Sequence, residues 1–160
     1  MTTWLYATIW AAMTLFVAGA IADRRTPGSP LARLAWWIWL AGALLCAIHM
    51  AIAMGAHYGW DHERAVRETA ARAATVYGIA WRGGLYVNYL FLLVWIGEIA
   101  WWRVSPQSYA TRPAAIRHTL WIFYIIIVFN AVVVFATAPG RIAGVILTSL
   151  LIAGWWRDRG

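Results

Sequence analysis

Residues 34–54 read LAWWIWLAGALLCAIHMAIAM, a run that contains one histidine and no charged side chain. A helix needs about 20 mostly apolar residues to cross the hydrocarbon core of a bilayer, which is about 30 Å thick. Three further runs have the same character: Trp4 to Ala22, Leu85 to Trp102 and Leu120 to Ala138. Together these runs predict four membrane-spanning segments.

A fifth apolar run, Ile142 to Trp156, is shorter than the others. At about 1.5 Å of rise per residue it falls several Å short of a full crossing. It must therefore thin the bilayer, lie in a groove of the protein, or fail to cross. We expect it to cross, which makes five transmembrane helices, four of full length and a short fifth.

The overall composition points the same way. Apolar residues make up 63% of the chain and charged residues 12%, whereas a soluble domain is roughly half apolar and about a quarter charged. The runs lack the alternation of apolar and polar residues that barrel strands have, so helices must satisfy the backbone hydrogen bonds. The sequence predicts an all-α polytopic membrane bundle, with residues 1–160 as a single integral membrane domain.

The charge of +7 is carried entirely by arginine, because all thirteen basic residues are of this type. They stand singly or in small groups beside the ends of the apolar runs, which is the pattern that fixes membrane topology and not a nucleic-acid surface. Eight arginines fall on one predicted side and five on the other. We therefore predict a multi-pass protein of a bacterial inner membrane, with its N-terminus outside, its C-terminus inside and its first span retained.

Residues 55–83 form the one polar stretch long enough to fold outside the membrane, and we expect an extracytoplasmic cap there. Asp61 is a candidate N-cap for a helix that runs to about Tyr77. Opposite charges four residues apart predict a solvated face. The opposite stripe is built mostly of small residues, which favours packing against protein over binding to lipid, and its members are Val66, Ala70, Ala73 and Tyr77.

The segment 49–63, HMAIAMGAHYGWDHE, is the densest group of candidate ligands. Imidazoles and carboxylates bind zinc, copper and non-haem iron, so a transition-metal or haem site is one interpretation. The alternative is that these are polar loop residues and that Asp61 only caps a helix. The candidate metal ligands are His49, His57, Asp61 and His62.

Polar side chains also recur at one depth of the predicted bundle. His49, Asn88, Asn130 and Thr148 each lie in the outer half of a span. Such residues can join helix to helix by hydrogen bonds, or they can line a pocket beneath the cap for a quinone headgroup, haem or lipid. His49, Asn88 and Asn130 are the candidate cofactor-binding residues.

Glu98 is the other polar residue whose insertion into a span is costly. Its position near the inner end of the third span predicts an interfacial ion pair with Arg103, Arg117 or His118. A role in proton relay is the alternative.

These features favour a non-enzymatic subunit or accessory protein of a larger membrane complex, with membrane lipid and other membrane subunits as partners and no nucleic acid. The first alternative is a redox, metal-binding or haem-binding protein with a site on the outer side. The second is an enzyme that acts on a lipid, with His57 or His62 as its base.

Overall fold

The computed structural model describes residues 3–22 and 28–159, and the described chain is all-helical, 86% helical with no strand. Four helical segments are long and apolar enough to cross a membrane. They are α1 (Thr3–Ile21), α2 (Pro30–Ile52) with a π-helical turn π1 (Ala53–His57), α4 (Gly84–Val104), and α6 (Ala114–Phe129) with a second π-helical turn π2 (Asn130–Val134).

Three further helices complete the described chain: α3 (His62–Tyr77), the short α5 (Pro106–Ala110) and α7 (Ala138–Arg159). The predicted fifth run is therefore helical, and its helix is longer than the run Ile142 to Trp156. The added residues are partly charged, and α7 is not among the four segments that meet both length and hydropathy. It packs along α1, α6 and π2.

The spans are bounded by residues that the apolar runs alone do not mark. Ser29 caps α2, since its hydroxyl accepts the backbone N–H of Ala32 at 3.1 Å, and Pro30 takes the first helical position, where the ring fits best. Helix α6 begins six residues before the predicted Leu120. Its first turns carry Arg117, which lies 3.5 Å from Asp158, so α7 supplies the partner that polar residues at this end need.

The core is an aromatic cluster around Phe16 on α1. The Phe16 ring lies 4.7 Å from Trp95 and 4.9 Å from Tyr124, both edge-on, and 5.3 Å from Phe91. Trp39 on α2 packs against the same ring. Because these side chains come from α1, α2, α4 and α6, one cluster joins all four candidate spans.

Two glycines let helices approach more closely than larger residues would. A Cβ at Gly42 would lie 2.9 Å from the ring of Trp95, and a Cβ at Gly144 would overlap the carbonyl oxygen of Val132 in π2. Small residues at such crossings are the usual basis of helix association in membranes.

The prediction that Glu98 forms an interfacial ion pair is wrong. Its side chain is buried, and its two carboxylate oxygens accept hydrogen bonds from the hydroxyls of Tyr109 at 3.0 Å and Tyr124 at 2.5 Å. The prediction failed because α5 folds back beneath α4 and brings Tyr109 to the acid, so hydroxyls take the place of Arg103, Arg117 and His118.

Helix α3 has the predicted bounds and cap. The Asp61 carboxylate accepts the backbone N–H of Arg64 at 2.9 Å, and Gly78 ends the helix with φ of 73°. Ala65 and Val66 pack with Leu85 of α4. The buried residues of the helix are Ala65, Val66, Ala70 and Ala73.

Tyr77 is the exception in the predicted stripe, because its side chain is half exposed. Its hydroxyl donates to Asn130 of π2. Tyr77 thus ties the end of α3 to the end of α6 without being part of the packed face.

Candidate ligand cavity beneath α3

A cavity of about 680 Å³ lies between α3 and the ends of the spans. Ligand sites for small molecules are commonly concave pockets of roughly 300–1,000 Å³, mostly apolar with a few polar groups. Its walls come from α1, α2 with π1, α3, α4, and α6 with π2. We call this end of the bundle the α3 end.

The three predicted cofactor-binding residues, His49, Asn88 and Asn130, all line this cavity. They come from α2, α4 and π2, so the fold brings together side chains that lie far apart in sequence. Thr148, the fourth residue of the predicted polar layer, does not line it. Its hydroxyl is buried and donates to the backbone carbonyl of Gly144 in its own helix at 2.9 Å.

The polar groups of the cavity are held to different extents. Nδ1 of His49 lies 3.1 Å from the hydroxyl of Thr8 on α1. The Asn130 amide donates to the carbonyl of Ile126 at 2.7 Å, and its oxygen accepts the hydroxyl of Tyr77. The Asn88 amide forms no hydrogen bond with any other described side chain or backbone group, so it is available to a ligand.

The four candidate metal ligands do not come together. Nε2 of His57 lies 3.2 Å from the carboxylate of Glu68, and Asp61 caps α3. His62 stands outside the cavity, where its ring lies 5.6 Å from that of Tyr86. Within residues 3–22 and 28–159, no group of three or more His, Cys, Asp or Glu side chains is placed to hold a metal ion. The metal interpretation gains no support from this arrangement.

Glu68 lies between two basic side chains, Arg64 of α3 and His57 of π1. Its carboxylate accepts a hydrogen bond from Nε of Arg64 at 2.7 Å, and this bond is the main reason that the pKa of Glu68 lies below its ordinary value. The same bond raises the pKa of Arg64. Nε2 of His57 lies 3.2 Å from the other oxygen of Glu68, so each carboxylate oxygen has a basic side chain close to it.

Arg72 is a cavity residue that the sequence analysis missed. Its spacing of four from Glu68 is that of a solvated ion pair, but Arg72 lines the cavity, and within the described chain no carboxylate lies within 4.0 Å of its guanidinium. Thr69, one turn earlier on α3, lines the cavity as well. Both Arg64 and Arg72 stand four residues from Glu68, so the spacing does not show which of them is its partner. The location of Arg72 in the cavity therefore cannot be predicted from the sequence.

The lining changes in character with depth. Met13, Cys46 and Phe91 are buried and form the apolar inner part, whereas Arg72 and Asn88 are exposed. Leu5 and Met13 both line the cavity and are eight positions apart on α1, so the cavity extends about 12 Å along the bundle. The inner part adjoins the aromatic cluster around Phe16.

The cavity is bordered by exposed residues between α4 and α6. Deep in the bundle these helices meet where Phe91 packs against Tyr124, with ring centroids 5.9 Å apart. Nearer the α3 end, Asn88 of α4 and Ile126 of α6 line the cavity and are exposed. Exposed residues of both helices thus border the cavity on this side.

Comparison with known proteins finds no family model, no characterised protein and no solved structure that matches the chain.

Proposed function

We propose that this chain is a membrane protein that binds an amphipathic, lipid-like ligand in the cavity beneath α3. The observation that carries the proposal is the lining of the cavity, which is apolar at depth and polar toward α3. A hydrocarbon chain fits the region of Met13, Cys46 and Phe91, and a polar headgroup fits the region of Arg72 and Asn88. The proposed route from the bilayer passes between α4 and α6, where the exposed residues Asn88 and Ile126 border the cavity.

The proposed orientation has α3 on the outside of a bacterial inner membrane, with the N-terminus outside and the C-terminus inside. Exposed tryptophans support a bilayer between two planes, since this residue favours the headgroup region. Trp4, Trp60 and Trp81 are exposed at the α3 end, and Trp37 and Trp156 at the opposite end. Labelling of a cysteine at Thr75 by an impermeant reagent in intact cells tests the orientation, and protection of that cysteine contradicts it.

Helix α7 is the fifth crossing in this proposal. Its 22 residues correspond to about 33 Å of helix, which is enough for the hydrocarbon core. Arg141 near its start and Asp158 near its end then lie at the two interfaces. Asp158 accepts a hydrogen bond from Trp121 at 3.0 Å, which gives this end a polar anchor.

Substitution of Ala131 by Phe tests the proposed binding site. Ala131 lines the cavity from π2, so a phenyl ring there reduces the space for a ligand. Ala51 is a matched control, because it is also exposed near the α3 end but does not line the cavity. We expect wild type and Ala51→Phe to retain a lipid-like molecule through purification in mild detergent, and Ala131→Phe to lose most of it.

Native mass spectrometry followed by extraction measures that retention and identifies the molecule. A visible absorption spectrum of the same preparation distinguishes haem from a colourless lipid or quinone. Wild-type protein without any amphipathic ligand, or Ala131→Phe with a wild-type amount, contradicts the proposed function.

A role as a subunit of a larger membrane complex is a second proposal. The face of α4 that carries Leu93 and Gly97 is exposed, and a Cβ added at Gly97 would meet no atom within 4 Å. Such a site permits close approach of a helix from another protein. Crosslinking from a cysteine at Gly97 in the native membrane should yield a discrete product that contains a second protein. Recovery of only the uncrosslinked chain counts against the proposal.

An enzyme acting on a lipid would use the same cavity. Of the two histidines considered as a base, only His57 lines it, with Glu68 placed to orient the ring. Conversion of the extracted ligand by wild type, with loss of conversion in His57→Gln and not in His62→Gln, is the result that this alternative predicts. Unchanged ligand after prolonged incubation with wild type contradicts it.

A further inference from the structure

The charges around the cavity are unequal. Arg72 is a cationic residue of the lining, and in the described part of the chain no aspartate or glutamate lines the cavity with it. His57 also lines it, but its ring already faces a carboxylate. A ligand that enters the cavity therefore meets an excess of positive charge.

The acids that could neutralise Arg72 have other partners. Glu68 accepts a hydrogen bond from Arg64 and lies 3.2 Å from Nε2 of His57, while Glu63 lies 2.9 Å from Arg82 and 3.9 Å from Arg67. Asp61 caps α3 through a backbone N–H. Of the three arginines on α3, Arg64 and Arg67 thus have an acid within 4.0 Å, and Arg72 does not.

Two hydrogen-bond donors accompany this charge. Thr69 and Asn88 line the same cavity as Arg72, and neither the Thr69 hydroxyl nor the Asn88 amide forms a hydrogen bond with another described residue. A guanidinium combined with hydroxyl and amide donors binds the oxygens of phosphate or carboxylate groups well. A zwitterionic headgroup would bring an ammonium group to a site that has no carboxylate.

We infer that the ligand is a lipid with an anionic headgroup, bound through its phosphate or carboxylate by Arg72 with Thr69 and Asn88. The inference rests on the proposed function, because it takes the apolar inner cavity as the place for the hydrocarbon chain. It adds the chemical class of the headgroup and the residue that selects it.

Lipid titration followed by native mass spectrometry tests the selection. Delipidated protein is titrated with phosphatidylglycerol and with phosphatidylcholine of identical acyl chains. We expect wild type to bind phosphatidylglycerol about tenfold more tightly, as one charge-assisted contact allows. Arg72→Gln should lose that preference while its affinity for phosphatidylcholine stays near the wild-type value, and Arg72→Lys should retain part of it.

Arg67→Gln is the matched control, since it removes the same charge from the same helix at a residue that does not line the cavity. It should keep the wild-type preference. If Arg67→Gln loses the preference as fully as Arg72→Gln, the effect comes from the net charge of α3, and the assignment to Arg72 is overturned.

The remaining outcomes separate the two proposals. If wild type binds both lipids equally and Arg72→Gln changes neither affinity, the headgroup inference fails while the lipid-binding function stands. If wild type binds neither lipid, the proposed function itself fails. Inorganic phosphate is added as a competitor, and displacement of phosphatidylglycerol by millimolar phosphate would show that the site selects a free anion, which overturns the assignment to a lipid.

Discussion

Glu98 is held inside the bundle by two tyrosine hydroxyls, from Tyr109 and Tyr124. No arginine or histidine among the described residues lies within 4.0 Å of its carboxylate. A buried group that loses one of two hydrogen-bond partners destabilises the fold more than an exposed one, because water cannot replace the lost donor. Glu98 therefore depends on the packing of α5 and α6 against α4.

Replacement of Tyr124 by Phe should lower the free energy of unfolding by about 1 to 3 kcal/mol. The ring keeps its place against Phe16, and only the hydroxyl that donates to Glu98 is removed. Tyr86→Phe is the control, since that side chain is exposed, and it should change the stability by less than about 0.5 kcal/mol. Unfolding in mixed micelles of increasing sodium dodecyl sulfate measures both variants, and equal stabilities would contradict the role of the hydroxyl.

Single residues also show where the sequence is sufficient and where it is not. The Asp61 cap is a local interaction within three residues, so the pattern of the chain predicts it. The partner of Glu68 is decided by π1, which brings His57 to one carboxylate oxygen while Arg64 takes the other. That choice leaves Arg72 to the cavity, and it depends on a contact between two elements that spacing along one helix cannot reveal.

Among the helices, the apolar runs predict where each helix lies along the chain but not the residues at which it begins and ends. Helix α6 begins before its apolar run, because Arg117 and His118 find partners on α7; the indole N–H of Trp155 donates to His118 at 3.1 Å. The turns π1 and π2 end two of the spans and carry His57 and Asn130 into the cavity. These turns depend on tertiary packing, and the sequence analysis did not predict them.

The crossing of α7 and π2 gives a test at this scale. Gly144→Ala would place a methyl group against the carbonyl of Val132, and such overpacking should destabilise the fold by about 1 to 3 kcal/mol. Gly97→Ala is the matched control in α4, where the added methyl meets no neighbour. We expect it to be at least as stable as wild type, since alanine favours helix over glycine.

Thermal unfolding in detergent, followed by tryptophan fluorescence, compares the two glycine variants. If Gly144→Ala unfolds at the same temperature as wild type, α7 does not pack closely on π2.

For the whole molecule, three polar residues that the predicted spans place at one depth, His49, Asn88 and Asn130, line the same cavity. His49, Asn88 and Asn130 share one depth because antiparallel helices alternate in direction, and simple counting along each span recovers that relation. Thr148 has a similar predicted depth but does not line the cavity, and its buried hydroxyl donates to Gly144 of its own helix. Depth along a helix does not determine which side a residue faces. The occupant of the cavity is a matter of volume and charge, which only the assembled bundle defines.

Cys46 gives a direct test of whether the cavity beneath α3 accommodates a lipid. It is the only cysteine of the chain, and it lies in the buried inner part of the cavity. A Cys46→Ser, Ala51→Cys variant moves the thiol to an exposed position outside the cavity and is the control.

The measurement is the rate at which a small apolar maleimide labels delipidated protein, with and without added phosphatidylglycerol. We expect that the lipid slows labelling of Cys46 in a saturable manner, that Ala131→Phe slows it without lipid, and that labelling at position 51 is unaffected. A rate at Cys46 that neither the lipid nor Ala131→Phe changes would mean that no lipid occupies the cavity.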